Sequence, residues 1–405
     1  MTKPNIRFKR DDGSDFPDWE EKRLGELGSF TKGASLSKSD ISNDGTPFIL
    51  YGELYTTYDE VAYNIKRKTQ AVVDKKYYSL VGDVVIPTSG ESPEEISTAT
   101  CIMVPNVILA GDLNIYRSEK VDGRVISYII NHQAKDKIAR IAQGKSIVHI
   151  QAKQLEKIRV SYPADEKEQQ LIADFLSNVD EVIAASEEEV ANLEQQKKAV
   201  MQKIFSQEVR FKKEDGSDFP DWEEKKLGEL TYPIRVKNKE NADLVSYSIN
   251  NEKGFVPQNE QFKNAGYLNN ADRTLSYIVS TGSFAYNPSR INVGSIGYQN
   301  LGKDVLVSPL YEIFKTRDNL DDRYLMYWFK TQHFKNNVAK YSEGGVRQSF
   351  YYDKLCMVDF ALPSLSEQQL IADFLSSYDE AITAAKQELE KWKELKKGLL
   401  QQLFV

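Results

Sequence analysis

Arg7–Leu27 reads RFKRDDGSDFPDWEEKRLGEL and Arg210–Leu230 reads RFKKEDGSDFPDWEEKKLGEL. Eighteen of these 21 positions are identical at an offset of 203, and the three changes keep their charge. A second pair follows at an offset of 199: EQQLIADFLSNVDEVIAA at Glu168–Ala185 matches EQQLIADFLSSYDEAITA at Glu367–Ala384 in 14 of 18 positions. The same offset relates KKAVMQKIF at Lys197–Phe205 to KKGLLQQLF at Lys396–Phe404. The chain is thus a tandem duplication, and each half runs from an opening segment through an inner block to a helix. The inner blocks, about 28–162 and 231–362, share no comparable run of sequence. Identical frames around unlike contents imply one shared job for the frames and two different jobs for the contents.

Each repeated tail predicts a long helix. Pro163 and Pro363 precede Asp165 with Glu168, and Ser364 with Glu367, at capping-box spacing. The apolar positions Ile172, Phe175, Val179, Ile183, Val190, Leu193, Val200 and Ile204 recur at steps of three, four and seven. Ile371, Phe374, Tyr378, Ile382, Leu389, Trp392, Leu399 and Leu403 repeat that stripe. At 1.5 Å per residue, roughly 39 residues make a rod of about 58 Å. A rod with one apolar seam needs a partner, so the helices are expected to pair through Ile172, Phe175, Val179, Ile183 and Leu193 against Ile371, Phe374, Tyr378, Ile382 and Trp392. The alternative is that each helix lies on its own domain.

The inner blocks predict an α+β mixture. Strands are expected at 81–87, 101–104, 157–162, 276–280, 305–307, 311–314 and 357–362, and helices at 125–141 and 322–341. Polar loops are expected at 88–97 and 285–297. The chain divides into 1–162, a helix at 163–207, 208–362, and a second helix at 363–405. With 405 residues and 40% hydrophobic content, it is long enough for two or three packed domains.

Charge hides a partition. The net charge is -7, yet residues 28–159 carry +2 and residues 231–362 carry +3, leaving -12 for the remainder. The overall acidity is therefore no argument against a nucleic-acid partner. The first helix region, 163–209, carries -7 and is unsuited to touching phosphate. The longest apolar run, 100–111, is too short for a bilayer span, and the charged start is unlike a secretory signal. Cys101 and Cys356 lie in different halves, so a disulfide framework is not expected and a reducing cytoplasm fits. His132, His149 and His333 lie far apart in sequence, so no His-rich metal site is expected.

Motifs of catalysis are incomplete. GSFTKGAS at 28–35 has two glycines at phosphate-loop spacing, but Ala34 stands where the lysine is required. Asn287-Pro288-Ser289-Arg290 lacks the second proline and the aromatic of a methyltransferase tetrapeptide. Pro17–Lys22 and Pro220–Lys225, both PDWEEK, contain the letters of a metal-dependent nuclease. Contiguous residues, however, cannot easily enclose Mg²⁺, so a strand anchored by Phe16 and Trp19 is the stronger reading. No catalytic or metal-binding residue is assigned. The residues able to contact DNA are basic, amide or hydroxyl groups of the polar loops. They are Lys32, Lys38, Ser89, Lys145, Ser146 and His149 in the first block. In the second they are Tyr286, Arg290, Asn292, Lys340, Arg347, Gln348 and Ser349.

The openings FPDWEEK-LGEL at Phe16–Leu27 and Phe219–Leu230, with the helices Glu168–Phe205 and Glu367–Phe404, make the chain resemble the DNA-specificity subunits of type I restriction–modification systems. The resemblance covers nearly its whole length. It implies two target recognition domains, each reading one half of a bipartite, asymmetric site in double-stranded DNA. It also implies that two long helices form an antiparallel coiled-coil spacer, with pseudo-two-fold symmetry from the duplication. Two methyltransferase subunits would dock on the helices, and restriction subunits would join the full complex. The chain itself would then be non-catalytic, with S-adenosylmethionine, ATP and Mg belonging to those partners. The rival readings are a nuclease using PDWEEK and a scaffold without DNA contact.

Overall fold

A computed structural model describes residues 4–142, 144, 147–251, 253–261, 273–342 and 349–405, with only the backbone at 260 and 261. The chain forms two compact units. One comprises residues 1–188 with 386–405, and the other residues 189–385.

The first unit is built on a five-stranded sheet with the order Gly28–Lys32, Leu113–Ser118, Asp83–Pro87, Thr100–Ile102, Val61–Ala62. Neighbours are antiparallel except the last pair, which is parallel. The central strand Asp83–Pro87 is buried at every position. Its alternation sends Val84 and Ile86 into the core beneath the helices, and Val85 into a second cluster with Leu113 and Ile115. Both faces are covered, which is why this stretch reads as a continuous apolar run. A separate three-stranded sheet, Lys68–Thr69, Thr46–Ile49, Ile108–Leu109, packs on the second cluster through Ile49 and Leu109. The expected helix at 125–141 is broken into Gly123–Tyr128, a wider turn at Ile129–Gln133, and Lys135–Ile141.

The second unit has a four-stranded sheet, Thr231–Pro233, Glu312–Thr316, Ser283–Tyr286, Ile296–Gln299, and a three-stranded one, Val236–Lys237, Tyr277–Val279, Val305–Val307. The expected loop at 285–297 is instead partly strand, because Phe284, Ala285, Tyr286 and Ile296 are buried. Their apolar signal is diluted in sequence by the glycines, serines and asparagines around them. The expected helix at 322–341 is two helices, Asp322–Trp328 and Gln332–Tyr341. The break falls at Thr331, whose hydroxyl accepts the Phe334 N–H at 3.3 Å and starts the second helix.

Both units close in the same way. Glu20–Arg23 pairs antiparallel with Arg159–Tyr162, and Glu223–Lys226 with Asp359–Leu362, so the opening segment and the last strand of each block form its base. The repeated LGEL turn that follows is tight. A Cβ on Gly25 would lie 3.1 Å from Glu156 Cβ, and one on Gly228 would lie 2.7 Å from Cys356 Cβ. Glycine at these two positions answers close approach, not left-handed backbone.

The long helices run over Glu166–Phe205 and Leu365–Leu403, with 40 and 39 residues. Within the first unit Ile172, Ala173 and Leu176 of the first helix share a core with Leu400, Leu403 and Phe404 of the second. Within the second unit Ile204 shares one with Ile371, Ala372 and Leu375. Ion pairs fix the direction. Lys396 meets Asp180 at 2.8 Å and Lys393 meets Glu187 at 2.8 Å in the first unit, while Lys197 meets Asp379 at 2.5 Å in the second. Rising numbers on one helix meet falling numbers on the other, so the pairing is antiparallel in each unit. The helices also lie on the domain of their own unit, so the two arrangements weighed from the sequence coexist.

Two pairing residues depart from expectation. Phe175 is 37% exposed and meets the ring of Phe8 edge-on at 5.5 Å. Phe374 meets Phe211 at 5.4 Å and Tyr378 at 5.5 Å. These rings clip the opening segments to the helices, a demand that helical periodicity does not reveal. Val179 and Ile382 are buried, and Ile183, Leu193, Tyr378 and Trp392 are half-buried. No helix among the described residues is long and apolar enough to cross a membrane.

Candidate nucleic-acid interface

The frame that carries the loops is held by charge. Arg7 forks onto Glu168, with Nε donating to Oε1 at 2.9 Å and Nη2 to Oε2 at 2.8 Å. Arg210 does the same to Glu367 at 3.1 and 2.9 Å. Both glutamate side chains are 0% exposed, so each needs its guanidinium. These are the glutamates at capping-box spacing. Their carboxylates are engaged by arginine, while Asp165 Oδ1 accepts the Lys167 N–H at 2.9 Å and Ser364 Oγ accepts the Glu367 N–H at 3.4 Å.

Further clamps reach into the inner blocks. Arg124 Nη1 donates to Asp174 at 2.7 Å, and Arg323 Nη1 to Asp373 at 2.6 Å. Gln169 Oε1 accepts the Asp122 N–H, and Gln368 Oε1 the Asp321 N–H, both at 2.8 Å. Tyr128 donates to Asp180 at 3.1 Å, and Tyr327 to Asp379 at 2.7 Å. Every pair keeps the offset of 199. The repeat therefore extends back to Asp122 and Asp321, inside blocks whose sequences otherwise differ. Carrying the offset backwards from the helix would have found Asp122, Arg124 and Tyr128.

The first unit adds a buried carboxylate to this set. Glu60 lies 2.7 Å from Lys396 and 2.9 Å from His132 Nε2. Burial opposes its charge, but the hydrogen bond with His132 and the charge of Lys396 outweigh it and hold the carboxyl at about 2, against an ordinary 4.5. A carboxyl depressed on folding stabilises above its unfolded value and loses that contribution as pH falls through the folded one. The expected result is an advantage of wild type over Glu60→Gln of about 2–3 kcal/mol at neutral pH. Denaturant melts at stepped pH should show it shrinking between pH 4.5 and 2.

Above this frame the first unit opens into a groove of ≈ 1480 Å³. Lys32, Lys38, Arg67, His149 and Lys153 line it together with Tyr51 and Tyr55. Lys32 is at the end of an edge strand. Lys38 opens a short turn capped by Ser37, which accepts the Ser39 N–H at 3.3 Å. His149 lies on the two-residue strand Val148–His149, which pairs with Ser89–Gly90. The groove thus gathers three of the expected residues. Ser89 is buried under His149 and donates to Asp112 at 2.9 Å, a supporting position. Arg67 is 3.0 Å from the buried Glu53, while Lys32, Lys38 and Lys153 are exposed. Tyr51, Tyr55, Arg67 and Lys153 were missed, although YGELYTTY at 51–58 carries the aromatic signal. Lys145 and Ser146 lie outside the described residues.

In the second unit the turn Ile291–Val293 packs against the helix Gln332–Tyr341. Arg290 and Asn292 are exposed on that turn, and Lys340 is exposed on the helix, 4.8 Å above the ring of Tyr341. Ser289 Oγ meets Ser349 Oγ at 3.1 Å, tying the turn to the segment before Phe350. Tyr286 is fully buried, with a hydroxyl that has no hydrogen-bond partner among the described residues. It belongs to the core, packed with Phe284 and Phe314, and not to the expected DNA-contacting surface. Arg347 and Gln348 lie outside the described residues.

The PDWEEK segments serve the base strands. Lys22 lies 2.7 Å from Glu20, whose carboxylate accepts the Tyr162 hydroxyl at 2.9 Å, and Trp222 donates to Glu367 at 3.1 Å. Among the described residues no group of three or more His, Cys, Asp or Glu is placed to hold a metal ion.

A duplicated α+β frame presenting two unlike clusters of polar loops defines a recognition protein. The model for the type I restriction modification DNA specificity domain matches residues 17–195 and again 220–392. The chain therefore belongs to the family of type I restriction–modification specificity subunits. It is similar to the type I restriction enzyme MjaVIII specificity subunit of Methanocaldococcus jannaschii, 25% identical over 425 residues, covering 98% of this chain and 95% of the relative. The putative MjaX specificity subunit of the same organism is 22% identical over the same coverage. The S subunit of the type I system of M. genitalium shares the fold, with a TM-score of 0.61 at 14% identity, over 100% of this chain and 99% of that one. A chain solved in work on complex assembly and conformational transition of the type I R-M system gives 0.56 at 16% identity, over 96% and 98%.

Proposed function

We propose that this specificity subunit reads a two-part, asymmetric DNA site. The groove at Lys32, Lys38 and His149 takes one half, and the cluster at Arg290, Asn292, Lys340 and Ser349 takes the other. The observation that carries the reading is the pairing of identical clamps with unlike loops. Arg7–Glu168 and Arg210–Glu367 hold matching frames, while the residues presented above them differ. A symmetric reader would have no use for two different loop sets. The long helices set the gap between half-sites and dock two methyltransferase subunits, and restriction subunits join the full complex. The chain itself is non-catalytic, and S-adenosylmethionine, ATP and Mg are used by those partners.

Mapping methylated motifs in cells that carry the chain with its partners tests this. The expected motif has two defined halves around an undefined gap, and a continuous or absent motif contradicts the reading. Arg290→Ala is expected to cost about 1–3 kcal/mol at one half-site by relaxing one base position. Lys38→Ala is expected to weaken all sequences alike and to lower the salt slope of binding by about 1. Filter or anisotropy titrations at several salt concentrations distinguish the two.

A further inference from the structure

We propose that Tyr128, Asp180 and Lys396 in the first unit, and Tyr327, Asp379 and Lys197 in the second, are positioning residues for spacing. They fix the angle at which each reading domain stands on its helix pair, and so the number of base pairs allowed between half-sites. The inference rests on the two-part reading above.

Each cluster joins three segments. The tyrosine comes from a helix of the inner block, the aspartate from the long helix that follows that block, and the lysine from the other long helix. In the first unit Tyr128 donates to Asp180 at 3.1 Å and Lys396 meets the same carboxylate at 2.8 Å. In the second, Tyr327 donates to Asp379 at 2.7 Å, Lys197 meets it at 2.5 Å, and the lysine ammonium sits 4.9 Å over the Tyr327 ring. The lysine side chains are 13% and 11% exposed. Around the clusters lie apolar contacts, such as Ile172, Leu176 and Leu400 in the first unit. The Arg124–Asp174 and Arg323–Asp373 pairs join each block to the helix that follows it, without reaching the other long helix. Apolar contact is non-directional and tolerates a small slide or rotation of one surface over another. The aspartates are 23% and 45% exposed, so the clusters are half-buried. Their hydrogen bonds are nonetheless directional, and the best-attested use of such polar groups in an interface is to enforce one register. The demand on angle is strict, since one added base pair moves the far half-site by about 3.4 Å and turns it by about 34°.

The clusters differ in charge balance. Lys396 has a second carboxylate, Glu60, at 2.7 Å. In the second unit a second cation, Lys330, lies 5.5 Å over the Tyr327 ring. One lysine shared by two carboxylates holds more firmly than two lysines around one, so the second cluster is the one to perturb.

The test maps methylated motifs made by the full chain with its partners, comparing wild type, Tyr327→Phe, and the double variant Lys197→Met with Asp379→Leu. The double variant replaces the ion pair by apolar groups and leaves no buried charge unpaired. Expected are unchanged half-site sequences, with methylation at gaps one base pair longer or shorter raised on the order of tenfold. Wild-type spacing in both variants, loss of all methylation in both, or altered bases in the half-sites with spacing unchanged overturns the proposal. If the double variant alone loses methylation, Tyr327→Phe decides, because it keeps the ring and removes one hydrogen bond. A wild-type motif without two separated halves sinks the two-part reading itself, and the positioning role with it.

Discussion

Exchanging residues 28–162 for an unlike block is expected to replace one half of the recognised DNA sequence and leave the other half unaltered. Each mismatched base pair costs about 1–3 kcal/mol, so a half-site wrong at three positions loses roughly 10²–10⁶-fold in affinity. Methylation at the old motif should fall to background, and a new motif that keeps one old half should appear. The structure sets a condition on the exchange. The incoming block must bring a last strand that pairs with Glu20–Arg23, and it must present an arginine to Asp174 and a tyrosine to Asp180. A block lacking these is expected to yield an unstable chain, which a thermal melt separates from a change of specificity. A chimera that folds, methylates and retains both original halves would remove the first block from sequence reading.

Arg7→Ala is expected to be among the most damaging single changes outside the reading loops. It leaves the fully buried carboxyl of Glu168 without its guanidinium, and breaking a buried pair in this way costs about 3–5 kcal/mol. For a unit of roughly 200 residues each kcal/mol lowers Tm by about 2–4 °C. The same holds for Arg210→Ala and Glu367. The decisive control is Arg7→Ala combined with Glu168→Gln, which removes the unpaired charge and should recover most of the loss. If the double change melts no higher than Arg7→Ala alone, the arginine acts through packing on the opening segment instead of through the carboxylate.

Much of this architecture was legible because it is written twice. The long helices followed from their stripes and prolines, and the base strands at 157–162 and 357–362 from short apolar runs ahead of them. The clamps were not legible by eye. Asp122, Arg124 and Tyr128 match Asp321, Arg323 and Tyr327, but the apolar residues between them change freely, Val125 facing the place of Tyr324 and Ile129 that of Trp328. Packing tolerates such swaps when volume is made up elsewhere, whereas a hydrogen-bonded ion pair does not. The strands Ser283–Tyr286 and Ile296–Gln299 were hidden by polar residues on their turn. Tyr286 carries a loop signal in sequence for the same reason, yet it is buried in the sheet between Ile296 and Glu312. Periodicity likewise placed Phe175 and Phe374 on the helix seam, where distant phenylalanines of the opening segments claim them. On the candidate site, composition marks polar loops but not which of their residues stand at the surface.

The division of each long helix between units has a consequence for synthesis on the ribosome. The core around Tyr128 and Trp19 includes Leu400, Leu403 and Phe404, so the first half of the chain cannot seal its interior until some two hundred later residues have been translated. Throughout that interval the apolar side of the first helix stays open to water. The second unit, whose residues form one continuous stretch, has no such wait. The part made first is therefore the part finished last, and slow elongation through residues 206–385 prolongs the period in which nascent chains are prone to aggregate.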